Sequence, residues 1–190
     1  MARQAPVLML ISMVLTMPWI QTLADGSDQL KWAKRVESGK EVVTNLQFYF
    51  HDTLSGKSPS AVRVAQATQT NNSLTLFGAL MMVDDPLTEG PEPTSKPLGH
   101  ARGLYGSAAQ TELGLVMILA YCFDDDIYKG SSFSLMSINS AMQPVREMAI
   151  VGGTGLFRMA RGYAIAQTHW LDPTTGDAIV GYNVTIATYV

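Results

Sequence analysis

From Asn45 onward, hydrophobic and polar positions alternate in short runs separated by turn-forming residues. Leu46-Gln47-Phe48-Tyr49-Phe50-His51-Asp52 has the period of two that puts alternate side chains on opposite faces of a strand, and Ser55-Gly56-Lys57-Ser58-Pro59 breaks it. The same reasoning predicts extended segments at 61–68, at 74–83 (stopped by Asp84-Asp85-Pro86) and at 99–107, the last after a loop at 88–97 that holds three prolines. Residues 113–124 are almost continuously apolar; their aromatic end and the following Asp124-Asp125-Asp126 favour a buried strand over a helix. Strands at 131–138, 157–171 and 178–189 complete the set, the last two joined by the hairpin loop Asp172-Pro173-Thr174-Thr175-Gly176-Asp177. Between 138 and 157, Val151-Gly152-Gly153-Thr154-Gly155 reads as a sharp corner, because glycine reaches positive φ without a Cβ clash. It lacks the Lys-Ser/Thr of a phosphate loop and the spacing of a dinucleotide turn. Eight strands with no amphipathic helix predict an all-β fold. An eight-stranded antiparallel β-barrel is preferred, since closure removes the edges that long apolar strands would otherwise expose.

The N-terminus follows a different pattern. A positive charge at Arg3, an apolar run from Val7 to Leu15, and Thr22-Leu23-Ala24 before Asp25 predict a secretory signal peptide over 1–24. Pro18 and Gln21 cut the run short of the ~20 apolar residues a spanning helix needs, so no membrane span is expected. Residues 25–44 are charged and lack sustained alternation, which predicts a mobile arm ahead of a domain over 45–190. Export places the chain in the extracellular space, where Asn71-Asn72-Ser73 and Asn183-Val184-Thr185 become glycan acceptors at Asn71 and Asn183; the second is usable only if its side chain points outward. The single cysteine, Cys122, excludes an intramolecular disulfide and reads as a small buried hydrophobe. A net charge of −3 with 15% charged residues leaves no basic field for nucleic acid beyond Lys31, Lys34 and Arg35.

Five ordered islands resemble the plant dirigent family: Phe48-Tyr49-Phe50-His51-Asp52, Leu76-Phe77-Gly78, Asp84-Asp85-Pro86-Leu87-Thr88, Gly103-Leu104-Tyr105, and Gly152-Gly153-Thr154-Gly155 followed by Gly176-Asp177-Ala178-Ile179-Val180-Gly181-Tyr182. The resemblance implies the barrel shared with allene oxide cyclases, a homo-oligomer (dimer or trimer) and a plant apoplastic location. It also implies no cofactor and a small phenolic substrate. In lignan-forming members the barrel orients monolignol radicals, such as those of coniferyl alcohol, made by an auxiliary laccase or peroxidase. In pterocarpan synthases it dehydrates and closes an isoflavanol through a quinone methide. Stereoselective coupling of the monolignol radicals is the first expectation; a dehydratase and cyclase of the pterocarpan synthase kind, or a non-catalytic phenolic-binding wall protein, are the alternatives.

The resemblance implies catalytic roles for Asp52, as an acid/base, and Arg146, as a cation for a phenolic or quinone oxygen, with Asn139 and Tyr105 binding substrate. Each has a plainer alternative: Asp52 starting a turn, Arg146 paired with a carboxylate such as Glu147, Asn139 forming a turn, Tyr105 packing. Lignan-forming members carry an aspartate where this chain has Asn139, and tend to carry a cysteine pair that it lacks. Both departures point toward the other dirigent subgroups, one of which includes the pterocarpan synthases. His51 alternates with Asp52 onto the opposite face, and His100 and His169 stand alone, so no metal site is expected.

Overall fold

A computed structural model describes residues 39–189; the expected signal peptide and most of the arm lie outside the described residues. Nine strands follow in chain order: β1 (Glu41–Asp52), β2 (Ala61–Ala65), β3 (Leu80–Thr88), β4 (Pro97–Ser107), β5 (Gly114–Phe123), β6 (Ser132–Ser140), β7 (Arg146–Thr154), β8 (Arg161–Leu171) and β9 (Ala178–Tyr189). All pairings are antiparallel, in the order β1-β9-β8-β7-β6-β5-β4-β3, and β1 meets β3 to close an eight-stranded barrel. The inside is built by the period of two: Phe48 and Phe50 on β1, Met117, Leu119, Tyr121 and Phe123 on β5, and Tyr182, Val184 and Ile186 on β9 are all buried. One end is filled by aromatic rings, including Phe48 stacked on Tyr182 and Tyr121 on Phe133, with Phe157 edge-on to Phe133. Each fully buried ring contributes roughly 1.5–3 kcal/mol by leaving water.

The seam between β1 and β3 is short. Only Tyr49↔Thr88 and Phe50↔Leu87 pair across it, reinforced by His51 Nε2 to Thr88 Oγ1 at 2.6 Å. Thr88 spends its hydroxyl proton on the Gly90 carbonyl, so His51 is the donor. Past Asp52 the chain leaves the sheet for residues 53–60 and returns as β2, which covers the rest of the β3 edge through Ala61↔Val83 and Val62↔Met82. β2 is therefore an appendage that resumes β1's place beside β3.

Eight barrel strands agree with the sequence expectation, but the membership differs. The fourth residue before Asn45 already belongs to β1, since Glu41 pairs with Tyr189 and the strand runs unbroken. The strand expected over 74–83 starts at Leu80 and continues through Asp84-Asp85-Pro86. Pro86 has no N–H to give, and it falls between the part of β3 paired with β2 (Leu80 to Val83) and the part paired with β1 (Leu87 and Thr88), so it does not end the strand. β7 was not foreseen as a strand. Gly152, Gly153 and Thr154 are its extended last residues, and the corner lies just beyond, in a 3-10 turn at Gly155–Phe157 where Gly155 has φ +60° and Met159 φ +63°. β8 accordingly begins at Arg161 rather than 157.

Candidate active site

Antiparallel order brings the end of β1, the end of β4, the end of β6 and the start of β7 to one mouth of the barrel. Asp52, Tyr105, Asn139 and Arg146 occupy inward positions there and line a single cavity of about 220 Å³. Its walls are largely apolar, with Phe50, Met81, Leu115, Met117 and Val180 among them, and among the described residues Asp52 is the only carboxyl in the lining. Such a cavity suits an aromatic ligand held by few polar groups.

Asp52 Oδ2 accepts a hydrogen bond from the Tyr105 hydroxyl at 2.9 Å, while Oδ1 is buried without a partner. Burial raises the Asp52 pKa to about 6, against the lowering effect of the Tyr105 bond, and the nearby Asp177 charge adds to the rise. Burial first, and then the Asp52 charge, push the Tyr105 phenol far up, so it remains a donor. Asp52 is therefore no turn-starting residue but an inward acid whose protonation changes near neutrality.

Arg146 is buried, with Nη1 donating to the Gln143 carbonyl at 3.1 Å and to Thr168 Oγ1 at 2.9 Å, and with Nε unpartnered. Glu147, the salt-bridge partner considered from the sequence, alternates to the outside. Among the described residues no carboxylate lies within ion-pair distance of Arg146. Burial lowers its pKa, but a guanidinium stays charged at any working pH. A buried cation without a counter-ion is costly, and an anionic oxygen in the cavity would relieve it.

Asn139 belongs to β6 and forms no turn, because β6 runs two residues beyond the expected end at 138. Its Nδ2 has only a 4.0 Å contact to Met117 Sδ, and its Oδ1 is buried and unpartnered. The amide thus has donor and acceptor capacity to offer a ligand. The mouth is tied by Asp177, whose carboxylate accepts from Leu54 N at 2.7 Å, Ser55 N at 3.0 Å and Ser55 Oγ. These bonds, the Ser55 hydroxyl foremost, hold Asp177 below the usual carboxylate range. They link the 53–60 excursion to the β8–β9 loop. Asn71 and Asn183 are both exposed, the latter on the outer face of β9 with its Oδ1 accepting from Gln47 Nε2.

Three residues near the site escaped the sequence reading. Thr168 and Tyr182 line the cavity beside Arg146, and Asp85 lies fully buried on the inner face of β3. Alternation alone would have placed Asp85 inward with Met81, Val83 and Leu87, had β3 been continued past Val83. Among the described residues no three His, Cys, Asp or Glu side chains gather as they would around a metal ion.

Residues 43–187 match the family model described as Dirigent-like protein. The chain is 62% identical to Dirigent protein 23 of Arabidopsis thaliana over 94% of each sequence. It is 49% identical to Pterocarpan synthase 1 of Glycyrrhiza echinata, over 79% of this chain and 80% of that one. Among solved structures, that of the pterocarpan synthase dirigent protein GePTS1 superposes with a TM-score of 0.75 at 49% identity, covering 81% of this chain and 89% of the other.

Proposed function

The chain belongs to the dirigent family, and from that premise we propose that its barrel is a dehydratase and cyclase that closes a phenolic substrate through a quinone methide. The observation that carries this reading is Asp52, the one acid of the cavity among the described residues, facing the same space as an amide with an unpartnered oxygen and a cation without a counter-ion. An isoflavanol of the kind a pterocarpan synthase closes, bound as its phenolate, would set that oxygen against Arg146. Asp52, protonated, donates its proton to the benzylic hydroxyl; the carbon–oxygen bond breaks, water leaves, and the phenolate electron pair moves into the ring to give the neutral quinone methide. A second phenolic hydroxyl then adds to the exposed carbon. Its proton returns to the Asp52 carboxylate and the electron pair returns to the oxygen beside Arg146, so the only net change is loss of one water. Asn139 hydrogen-bonds the substrate and Tyr105 steadies the Asp52 carboxylate. One acid suits one ring closure, and the relatives named pterocarpan synthase support the same chemistry.

Stereoselective coupling of monolignol radicals, supplied by a laccase or peroxidase, is the competing use of the cavity. Its apolar walls, which would hold aromatic faces, support it. Purified protein incubated with an isoflavanol, and separately with coniferyl alcohol plus laccase, separates the two by chiral chromatography. The expected result is one pterocarpan enantiomer from the first and racemic dimers from the second. Enantiomerically enriched dimers without pterocarpan would overturn the cyclase reading, and neither product would leave a phenolic-binding protein.

The same reading includes export to the apoplast after cleavage behind Ala24, glycans on the exposed Asn71 and Asn183, and assembly as a homo-oligomer of two or three chains. The exposed Met82, Ile118, Met136 and Ile138 on the outer face support the assembly. N-terminal sequencing of the secreted protein, glycosidase treatment and light scattering test these points.

A further inference from the structure

The β1–β3 seam holds a second carboxyl that touches no part of the cavity. Asp85, on the inner face of β3, is fully buried, more so than Asp52. Its Oδ1 accepts from Ser60 Oγ, whose own position is set by Thr53 N donating to it at 3.0 Å, and its Oδ2 is buried and partnerless. Asp52 Oδ1 is partnerless too. Two inward carboxyls therefore flank one seam, each with an unsatisfied oxygen, and among the described residues no cation forms an ion pair with either.

The groups facing this region leave little freedom. β4 contributes Tyr105, which already donates to Asp52; β5 contributes Tyr121 and β9 Tyr182, both phenols with raised pKa through burial; and β2 contributes Arg63, which lines the cavity mouth but donates to Gln66 and Asn71. Asp84, Arg102 and His100 pair with one another on the outer face, and His51 points outward to Thr88. Asp177 adds negative charge at the mouth, and Arg146 lies beside Tyr182. A second negative charge beside Asp52 would be buried without a counter-ion.

We propose that Asp52 and Asp85 titrate as one pair, with Asp85 as a positioning residue that keeps the last proton, so that the proton given up and taken back at the cavity wall is the one on Asp52. This deepens the reading of Asp52 as the acid. A proton retained on Asp85 turns one of the two partnerless oxygens from an acceptor into a donor, and it gives Asp52 a neutral polar neighbour in place of either a second anion or hydrocarbon. Burial, and next the Asp52 charge, raise the Asp85 pKa to about 8, in the same sense.

The test is a carboxyl-carbon NMR titration of ligand-free protein labelled at aspartate, which needs no turnover. In the wild type one inward carboxyl is expected to titrate near 6 and the other near 8. Asp52→Asn removes the neighbouring charge and should lower the Asp85 midpoint by a unit or more. Asp85→Asn should leave the Asp52 midpoint within about half a unit, whereas Asp85→Leu should raise it by about a unit and move the falling limb of kcat against pH on an isoflavanol upward by the same amount, with KM little changed. Two carboxylates at pH 7 in the wild type, or an Asp85 midpoint indifferent to Asp52→Asn, would overturn the pair even if Asp85→Leu failed to fold. Absence of turnover with the expected titrations would instead overturn only the cyclase reading.

Discussion

A carboxyl in water is a poor proton donor at neutral pH, and the environment of Asp52 changes that. Hydrocarbon walls raise its pKa to about 6, and only Tyr105 holds its charged form by a direct hydrogen bond. Activity that needs the protonated acid should therefore be high below pH 6 and fall as pH rises through it, measured as kcat against pH. Tyr105→Phe removes a donor that favours the carboxylate, so this falling limb should move upward by about one unit. Asp52→Asn should keep the fold and lower kcat by about 10²–10⁴-fold, the usual worth of a positioned acid. An unchanged rate in that variant would remove Asp52 from the chemistry.

The strands contribute by holding such side chains at one mouth, and the β7–β8 corner depends on particular glycines. A Cβ on Gly153 would lie 2.7 Å from the Ser132 carbonyl oxygen and closer still to that of Phe157, both backbone atoms that cannot turn aside. A Cβ on Gly152 would meet nothing within 4 Å. Gly153→Ala should thus cost about 1–3 kcal/mol in denaturant unfolding, while Gly152→Ala should stay within about 0.5 kcal/mol. Arg146 begins the same strand, so loss of the corner should also lower activity. The corner was legible in the glycines, but its position was not. A run of glycines signals freedom, and contacts with β6 decide which of them uses it.

For the molecule as a whole, stability should depend on pH in a direction set by the buried seam. Unfolded, Asp85 releases its proton near 3.8; folded, it keeps it to about 8, so the folded state binds the extra proton and loses stability as pH rises between those values. Asp52 acts likewise up to about 6. His51, whose pKa burial lowers, works the other way, costing stability as pH falls below 6.5. Above 6.5 the Asp85 effect stands without that opposition, and stability should fall by about 1.4 kcal/mol per pH unit toward pH 8. Asp85→Asn should flatten this slope in chemical denaturation, and an equal slope in both proteins would count against a retained proton. The alternation of apolar residues sufficed for an all-β barrel, and the ordered islands for its family, because side-chain direction along a strand is a local property with a period of two. Asp52 and Arg146 could be named from motif. The fate of their alternatives could not, since whether Glu147 can reach Arg146, or whether Asn139 turns the chain, depends on where each strand ends and which face it shows. A slip of one residue reverses that face. Asp85 behind Asp52 belongs wholly to the closed structure: the two lie on strands that meet only at a short seam, and each feels the other's charge only once the barrel shuts water out between them.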